Sequence, residues 1–160
     1  MRINKKVPAR KEKANLEKIA DGLWSKLVIN RDTKCRNCGL KEKLSAHHIR
    51  ERTHKTTKYD VDNGLCLCWP CHSLQKFRPQ VFHDLIVDII GQGGYDELRA
   101  RSDITIQDYC GMSYGVKFLR HIIDRLRDAE RYEDIPKYFG GVFCLERSGS
   151  PAKESRRPIF

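Results

Sequence analysis

The sequence predicts an α+β fold: a small core of two strands and a helix, closed by a four-cysteine clip, with one helix before it and a helical extension after it. Three observations carry this expectation. Two Cys-x-x-Cys pairs, Cys35/Cys38 and Cys68/Cys71, bracket residues 39–67. Two short apolar segments suited to strands, 44–50 and 63–67, lie between the pairs. Apolar residues at helical spacing run on both sides of the bracketed segment. At 160 residues the chain is long enough for one modest domain with decorations. With 39% hydrophobic and 32% charged residues it has little core material, and a small core often needs a staple.

Each element follows from local pattern. Residues 1–13 hold Arg2, Lys5, Lys6, Arg10, Lys11 and Lys13 against Glu12 alone and show no apolar period, so they read as a basic flexible arm. Leu16, Ile19, Ala20, Leu23, Trp24, Leu27 and Val28 recur at i, i+3, i+4 and i+7, which predicts an amphipathic helix over about 14–29, weakened by Gly22, with a scaffold role. Residues 35–39 form a tight turn, 44–50 a strand, 51–61 a polar loop, 63–67 a second strand, and a helix begins near His72. Pro79 either interrupts that helix or opens the next. Phe82, Leu85, Ile86, Ile89 and Ile90 make a second stripe that Gly91, Gly93 and Gly94 end, and a short helix is expected over 95–101. Thr105 is placed to cap a further helix, and Val116, Leu119, Ile122, Ile123 and Leu126 mark the buried side of the longest C-terminal helix. After Tyr138 periodicity is lost, and residues 147–158 have the composition of a disordered basic tail. The expected organisation is a basic arm at 1–13, a helix plus clipped core at 14–79, a helical extension at 80–139 and a basic tail at 140–160.

The formal net charge is +10, which calls for a polyanionic partner, nucleic acid being the commonest. A second basic cluster, Lys41, Lys43, Arg50, Arg52, Lys55 and Lys58 against Glu42 and Glu51, surrounds two adjacent histidines. No apolar leader segment is visible and no run approaches the length of a membrane span, so a membrane role is excluded and a cytoplasmic, reducing setting is expected. There, cysteines two residues apart read as metal ligands before disulfides. Cys35, Cys38, Cys68 and Cys71 can place four thiolates tetrahedrally around a structural Zn²⁺. Cys66 competes with Cys68, but would leave a longer spacer to Cys71, so Cys68 is preferred and Cys66 becomes a strand residue that packs. Cys110 and Cys144 have no partner at ligand spacing and are read as buried thiols.

Between and beside the pairs stand His47-His48-Ile49, then Tyr59-Asp60-Val61-Asp62-Asn63-Gly64, Leu65-Cys66-Leu67-Cys68 and Pro70-Cys71-His72. Hydrolysis of a phosphodiester needs an activated water, a cation near the phosphate and help for the leaving oxygen. Adjacent residues of a strand point to opposite faces, so His47 and His48 cannot easily share one task unless the strand twists or ends there. Over about residues 35–76 the order and spacing of these pieces resemble the HNH endonucleases, also called ββα-metal or His-Me finger nucleases. The resemblance implies a ββα-metal core and metal-dependent cleavage of DNA, duplex or branched, by nicking or double-strand cutting. It implies His48 as general base, His47 and His72 as ligands of a catalytic metal, and Asn63 as the residue that fixes the His48 loop. Some members carry a third histidine four residues after the position of His72. Here that position is Lys76, and two imidazoles with open water sites suit Mg²⁺ or Mn²⁺. Arg50, Arg52, Lys76 and Arg78 are candidate phosphate contacts, each with a solvated basic face as the plain alternative; His54 is a weaker one.

The C-terminal half, from Val81 through Gly91 to Glu97-Leu98 and Thr105-Ile106-Gln107-Asp108-Tyr109, is similar to phage NinG/Rap recombination proteins, which act on branched recombination intermediates. The competing function is a zinc-stabilised DNA-binding or recombination-accessory protein without catalysis. His48 discriminates the two, because a binding module has no need of a base beside a metal ligand. Monomer and homodimer are both open.

Overall fold

The computed structural model describes residues 8–131. Helix α1 spans Ala9–Asp32, strand β1 Leu44–His48, strand β2 Gly64–Cys68, helix α2 Trp69–Phe77, helix α3 Pro79–Ser102, helix α4 Ile106–Cys110 and helix α5 Val116–Arg131, with a single 3-10 turn at Val61–Asn63 just before β2. The chain therefore has the expected α+β architecture, a two-stranded hairpin followed by a helix and flanked by further helices.

The hairpin is antiparallel, with Leu44 opposite Cys68, Ala46 opposite Cys66 and His48 opposite Gly64. Its two-residue period divides the core in two. Cys66 faces a cluster built from Ala20, Trp24, Leu27 and Val28 of α1 and Phe118, Leu119, Ile122 and Leu126 of α5. Leu65, Leu67 and Cys68 face a second cluster with Phe82 and Ile86 of α3 and Cys71 of α2. The hairpin is thus the middle layer between α1/α5 and α2/α3. As far as Leu67, adjacent residues of β2 serve different cores, and Cys68 joins the second at the turn into α2, which is why the strand is buried along its whole length.

Helix α1 begins at Ala9 rather than at 14. Arg10, Lys11, Glu12 and Lys13 are good helix formers, and the extra turn is anchored to the α5 region, with Glu12 paired to Arg120 and Lys13 donating to the Tyr114 carbonyl at 3.3 Å. The basic stretch expected as an arm is helical from Ala9 onward, and residues 1–7 lie outside the described residues. At its other end, α1 is tied to the hairpin by side chains. Asp32 accepts from the Cys66 N–H at 2.8 Å, and Arg31 donates to the carbonyls of Val61 (2.8 Å) and Gly64 (2.7 Å).

Pro79 opens α3, where its missing N–H costs nothing. Gly91 breaks that helix with φ 77 and ψ 156, a conformation only glycine adopts readily, and the helix resumes directly and runs to Ser102. The short separate helix expected over 95–101 is the second limb of this kinked element. Thr105 caps α4 by accepting from the Asp108 N–H at 3.1 Å. Cys110 is only half-buried, its thiol donating to the Ile106 carbonyl at 3.3 Å, so the expectation of a buried thiol fails there: the five-residue α4 lies at the edge of the core. Cys144, the tail at 140–160 and the end of the helical extension fall outside the described residues. Among the described residues, no helix is long and apolar enough to cross a membrane.

Candidate active site

The two cysteine pairs meet where β2 passes into α2. Ligand atoms of Cys35, Cys38, Cys68 and Cys71 all lie within 4.8 Å of one another, the set that the spacing selects. Cys66 points the other way, into the α1/α5 core, because it alternates with Leu65 and Leu67 along the strand, whereas Cys68 is the last strand residue, where the chain turns into α2. Burial pushes the Cys35 thiol up, but the backbone N–H groups of Cys38, Cys68 and Asn37 outweigh it and bring it down to about 6. At Cys71, burial and then the Cys68 thiol push the pKa up to about 12, against the Asn37 amide that donates to its sulfur at 3.3 Å. Sulfurs this close cannot all shed their protons without a cation between them. The donor set therefore suits a structural zinc, held by these four residues.

On the far side of β1, His47, His48 and His72 line one open cavity of about 380 Å³ together with Ala46, Glu51, Arg52, Thr53 and Gln75. The two adjacent histidines do lean to opposite faces of the strand. His47 packs edge-on against Phe82 at 4.8 Å and His72 at 4.7 Å, on the α2/α3 side. His48 stacks on Trp24, ring centroids 3.7 Å apart, on the α1 side. Both reach the same cavity because β1 ends at His48.

Hydrogen bonds fix which ring nitrogens are free. His48 Nε2 lies 2.9 Å from the Lys58 carbonyl, which can only accept, so Nε2 carries the proton and Nδ1 keeps its lone pair. Arg52 Nε donates weakly to that Nδ1 at 3.4 Å. Ser45 donates its hydroxyl to the Leu67 carbonyl at 3.3 Å and accepts from His72 Nδ1 at 3.2 Å, which leaves His72 Nε2 as the basic atom. His47 Nε2 is buried with no protein partner. Burial, then the neighbouring His72, holds His47 down to about 3, and burial above all holds His48 down to about 4, so both rings are neutral at neutral pH. A buried, neutral, unpartnered nitrogen beside a second imidazole with a free lone pair suits a divalent cation between His47 and His72.

Asn63 is fully buried and spans the loop after β1. Its Oδ1 accepts from the Arg50 N–H at 2.6 Å, and its Nδ2 donates to the carbonyls of Arg50 and Thr57, both at 3.0 Å. Those bonds close the 50–57 loop whose end, Lys58, orients His48.

The basic candidates divide. Arg50 turns away from the cavity to Ser102 Oγ at 2.9 Å and Asp103 at 3.6 Å, bracing the loop on the end of α3. His54 likewise meets the Ser102 carbonyl at 3.0 Å. Arg52 lines the cavity, and Lys76 and Arg78 are exposed at the end of α2. Two contributors escape sequence reasoning. Trp24 sits in the apolar stripe of α1 and reads as scaffold, yet its ring carries His48. The Lys58 contribution is a backbone carbonyl, which leaves no trace in residue type.

No curated protein and no solved structure matches the chain. The likeness of the C-terminal half to NinG/Rap proteins finds no support. The clip, the hairpin and the helix that carries His72 fall in one segment that does match: residues 35–78 fit the model of the HNH endonuclease family, and the same segment holds the four-cysteine cluster.

Proposed function

We propose that the protein is a metal-dependent DNA endonuclease in which His48 is the general base, His47 and His72 hold the catalytic Mg²⁺ or Mn²⁺, and Cys35, Cys38, Cys68 and Cys71 hold a structural zinc. The observation that carries the reading is the pairing at the end of β1. A histidine with a fixed tautomer and an unprotonated Nδ1, approached only by Arg52, stands in the same cavity as His72 and as a His47 Nε2 buried without a protein partner.

His48 takes the proton of the attacking water at Nδ1, and the Lys58 carbonyl stabilises the imidazolium that results through Nε2–H. Trp24 holds the ring in plane, and Asn63 holds the loop that supplies the Lys58 carbonyl. When bound, the divalent cation draws charge from the phosphate and the leaving oxygen. Arg52, beside Nδ1 in the free protein, has the reach to move onto a phosphate that enters the cavity. Its charge would then steady the anion while the base lone pair is released. Lys76 and Arg78 add positive charge along the strand that leads in.

The test is cleavage of supercoiled plasmid, linear duplex, single strand and a four-way junction with Mg²⁺, Mn²⁺ or a chelator of both. His48→Ala should keep its zinc and its affinity for DNA and cut at least about a hundredfold more slowly. Cleavage by His48→Ala at the wild-type rate would remove the base assignment. DNA binding by wild type without cleavage in any metal would leave a binding module in place of an enzyme.

A further inference from the structure

The outer face of helix α2 carries two aromatic side chains that the site described above does not use. Trp69 is 72% exposed and Phe77 71% exposed, while the next most exposed large apolar residue among those described, Val81, is at 49%. Large aromatic rings left this open on so small a domain mark a contact surface. At 3.6 residues per turn, Trp69, Ser73, Lys76 and Phe77 fall within an arc of about 100°, with His72 on its flank and the two rings about 12 Å apart along the axis. The stripe is thus continuous with the catalytic cavity through one helix.

Its charge narrows the partner. Residues 69–77 contain no acidic side chain, the Lys76 ammonium lies 5.6 Å from the Phe77 ring centre, and Arg78 follows, exposed. A second copy of the same face would set these cations against one another. A nucleic-acid strand offers the complement, phosphates for the cations and flat base faces for the rings. In intact duplex those base faces are covered by neighbouring pairs. They become available in single strands and at nicks, bulges and branches.

We infer that the outer face of α2 is a base-stacking platform, on which Trp69 and Phe77 hold unpaired bases of a DNA strand that runs past Lys76 toward His72. This rests on the nuclease reading and gives it a substrate class: DNA with an exposed base face at or beside the cut, in preference to uninterrupted duplex.

The chain has two tryptophans, and Trp24 is only 1% exposed, so Trp69 can be read on its own with a neutral quencher. The experiment uses the zinc-loaded full chain without Mg²⁺ or Mn²⁺, so that bound DNA stays uncut. Acrylamide should quench Trp69 in the free protein. A short single-stranded oligonucleotide should itself lower the emission and shield Trp69 from acrylamide, more than a blunt duplex of the same sequence does at equal occupancy. Trp69→Ala and Phe77→Ala should each weaken single-strand binding roughly 5- to 100-fold and duplex binding less. Trp69→Phe should retain most of the affinity, whereas Trp69→Leu, apolar but without a stacking face, should not. Because Trp69 stands between two zinc cysteines, Phe77→Ala and wild-type quenching decide the matter if Trp69 variants fail to fold.

DNA that binds, by anisotropy, without changing Trp69 accessibility would overturn the platform and leave the nuclease reading standing. So would a Trp69 already shielded in the free protein, wild-type affinity in Trp69→Leu, or shielding that grows with protein concentration alone alongside a dimer in sedimentation. Absence of binding to any DNA would overturn both.

Discussion

Asn63 is wholly enclosed, and each of its three hydrogen bonds serves a backbone group of the loop that orients His48. Asn63→Ala strands an N–H and two carbonyls at once. We expect a loss of about 3 kcal/mol in denaturant unfolding, from unsatisfied groups at roughly 1–3 kcal/mol each, and slower cleavage by the protein that remains folded. A variant as stable and as active as wild type would show that water replaces the amide. Asp60 gives a prediction in pH. Burial raises its carboxyl to about 6 against the pull of Arg101, whose guanidinium donates to it at 2.6 Å. A carboxyl whose pKa is higher folded than unfolded contributes stability below the unfolded value, and that contribution is lost as pH rises through about 6. The stability of Asp60→Asn relative to wild type should therefore improve from pH 4 to pH 7, as read from urea midpoints across that range. A difference independent of pH would mean the Asp60–Arg101 pair keeps the carboxylate fully charged.

At the scale of elements, the hairpin shows why some positions were legible in sequence and others were not. The four cysteines and the three histidines are set by spacing along a turn, the strands of the hairpin and the first turn of a helix, and short-range spacing survives folding. The pairing of His48 with Trp24 is set by how α1 crosses the hairpin, and an apolar stripe says only that one face of α1 is buried. The kink of α3 was signalled by Gly91, Gly93 and Gly94, yet glycines alone do not tell a stop from a bend that lets the helix continue. Gly64 is a second such position. Its φ of −118 and ψ of 140 suit any residue, so no conformational signal singles it out, but a Cβ there would collide with Val28 and lie 3.0 Å from the Trp24 ring. Gly64→Ala should cost about 1–3 kcal/mol by overpacking. Because Trp24 supports His48, it should also lower the cleavage rate of folded protein more than Gly93→Ala does, where the added methyl meets open space. Equal rates in the two variants would argue against a close approach of β2 to α1.

For the molecule as a whole, the cysteine clip sits at the junction of β1, β2 and α2 and borders the α2/α3 core cluster, to which Cys35, Cys68 and Cys71 belong. Stripping zinc with a strong chelator should unfold the α2/α3 half, since zinc binding in such units is itself folding free energy on the order of 10 kcal/mol. Cys71→Ser should reproduce the effect. The α1/α5 half, with its own cluster of buried residues, should hold more of its helicity, which far-UV circular dichroism with and without chelator can register. Complete retention of tertiary signal after zinc removal would show that the clip is not what closes the core. The stacking of His48 on Trp24 bears on a different matter, portability. Trp24, Arg31 and Asp32 all precede residue 35, and Phe82, against which His47 packs, follows residue 78. A cassette cut at the limits of the recognisable motif would carry His47 and His48 without the wall each leans on. Transplanting the proposed activity into another protein, or exchanging it by recombination, would have to move at least α1 through α3 together.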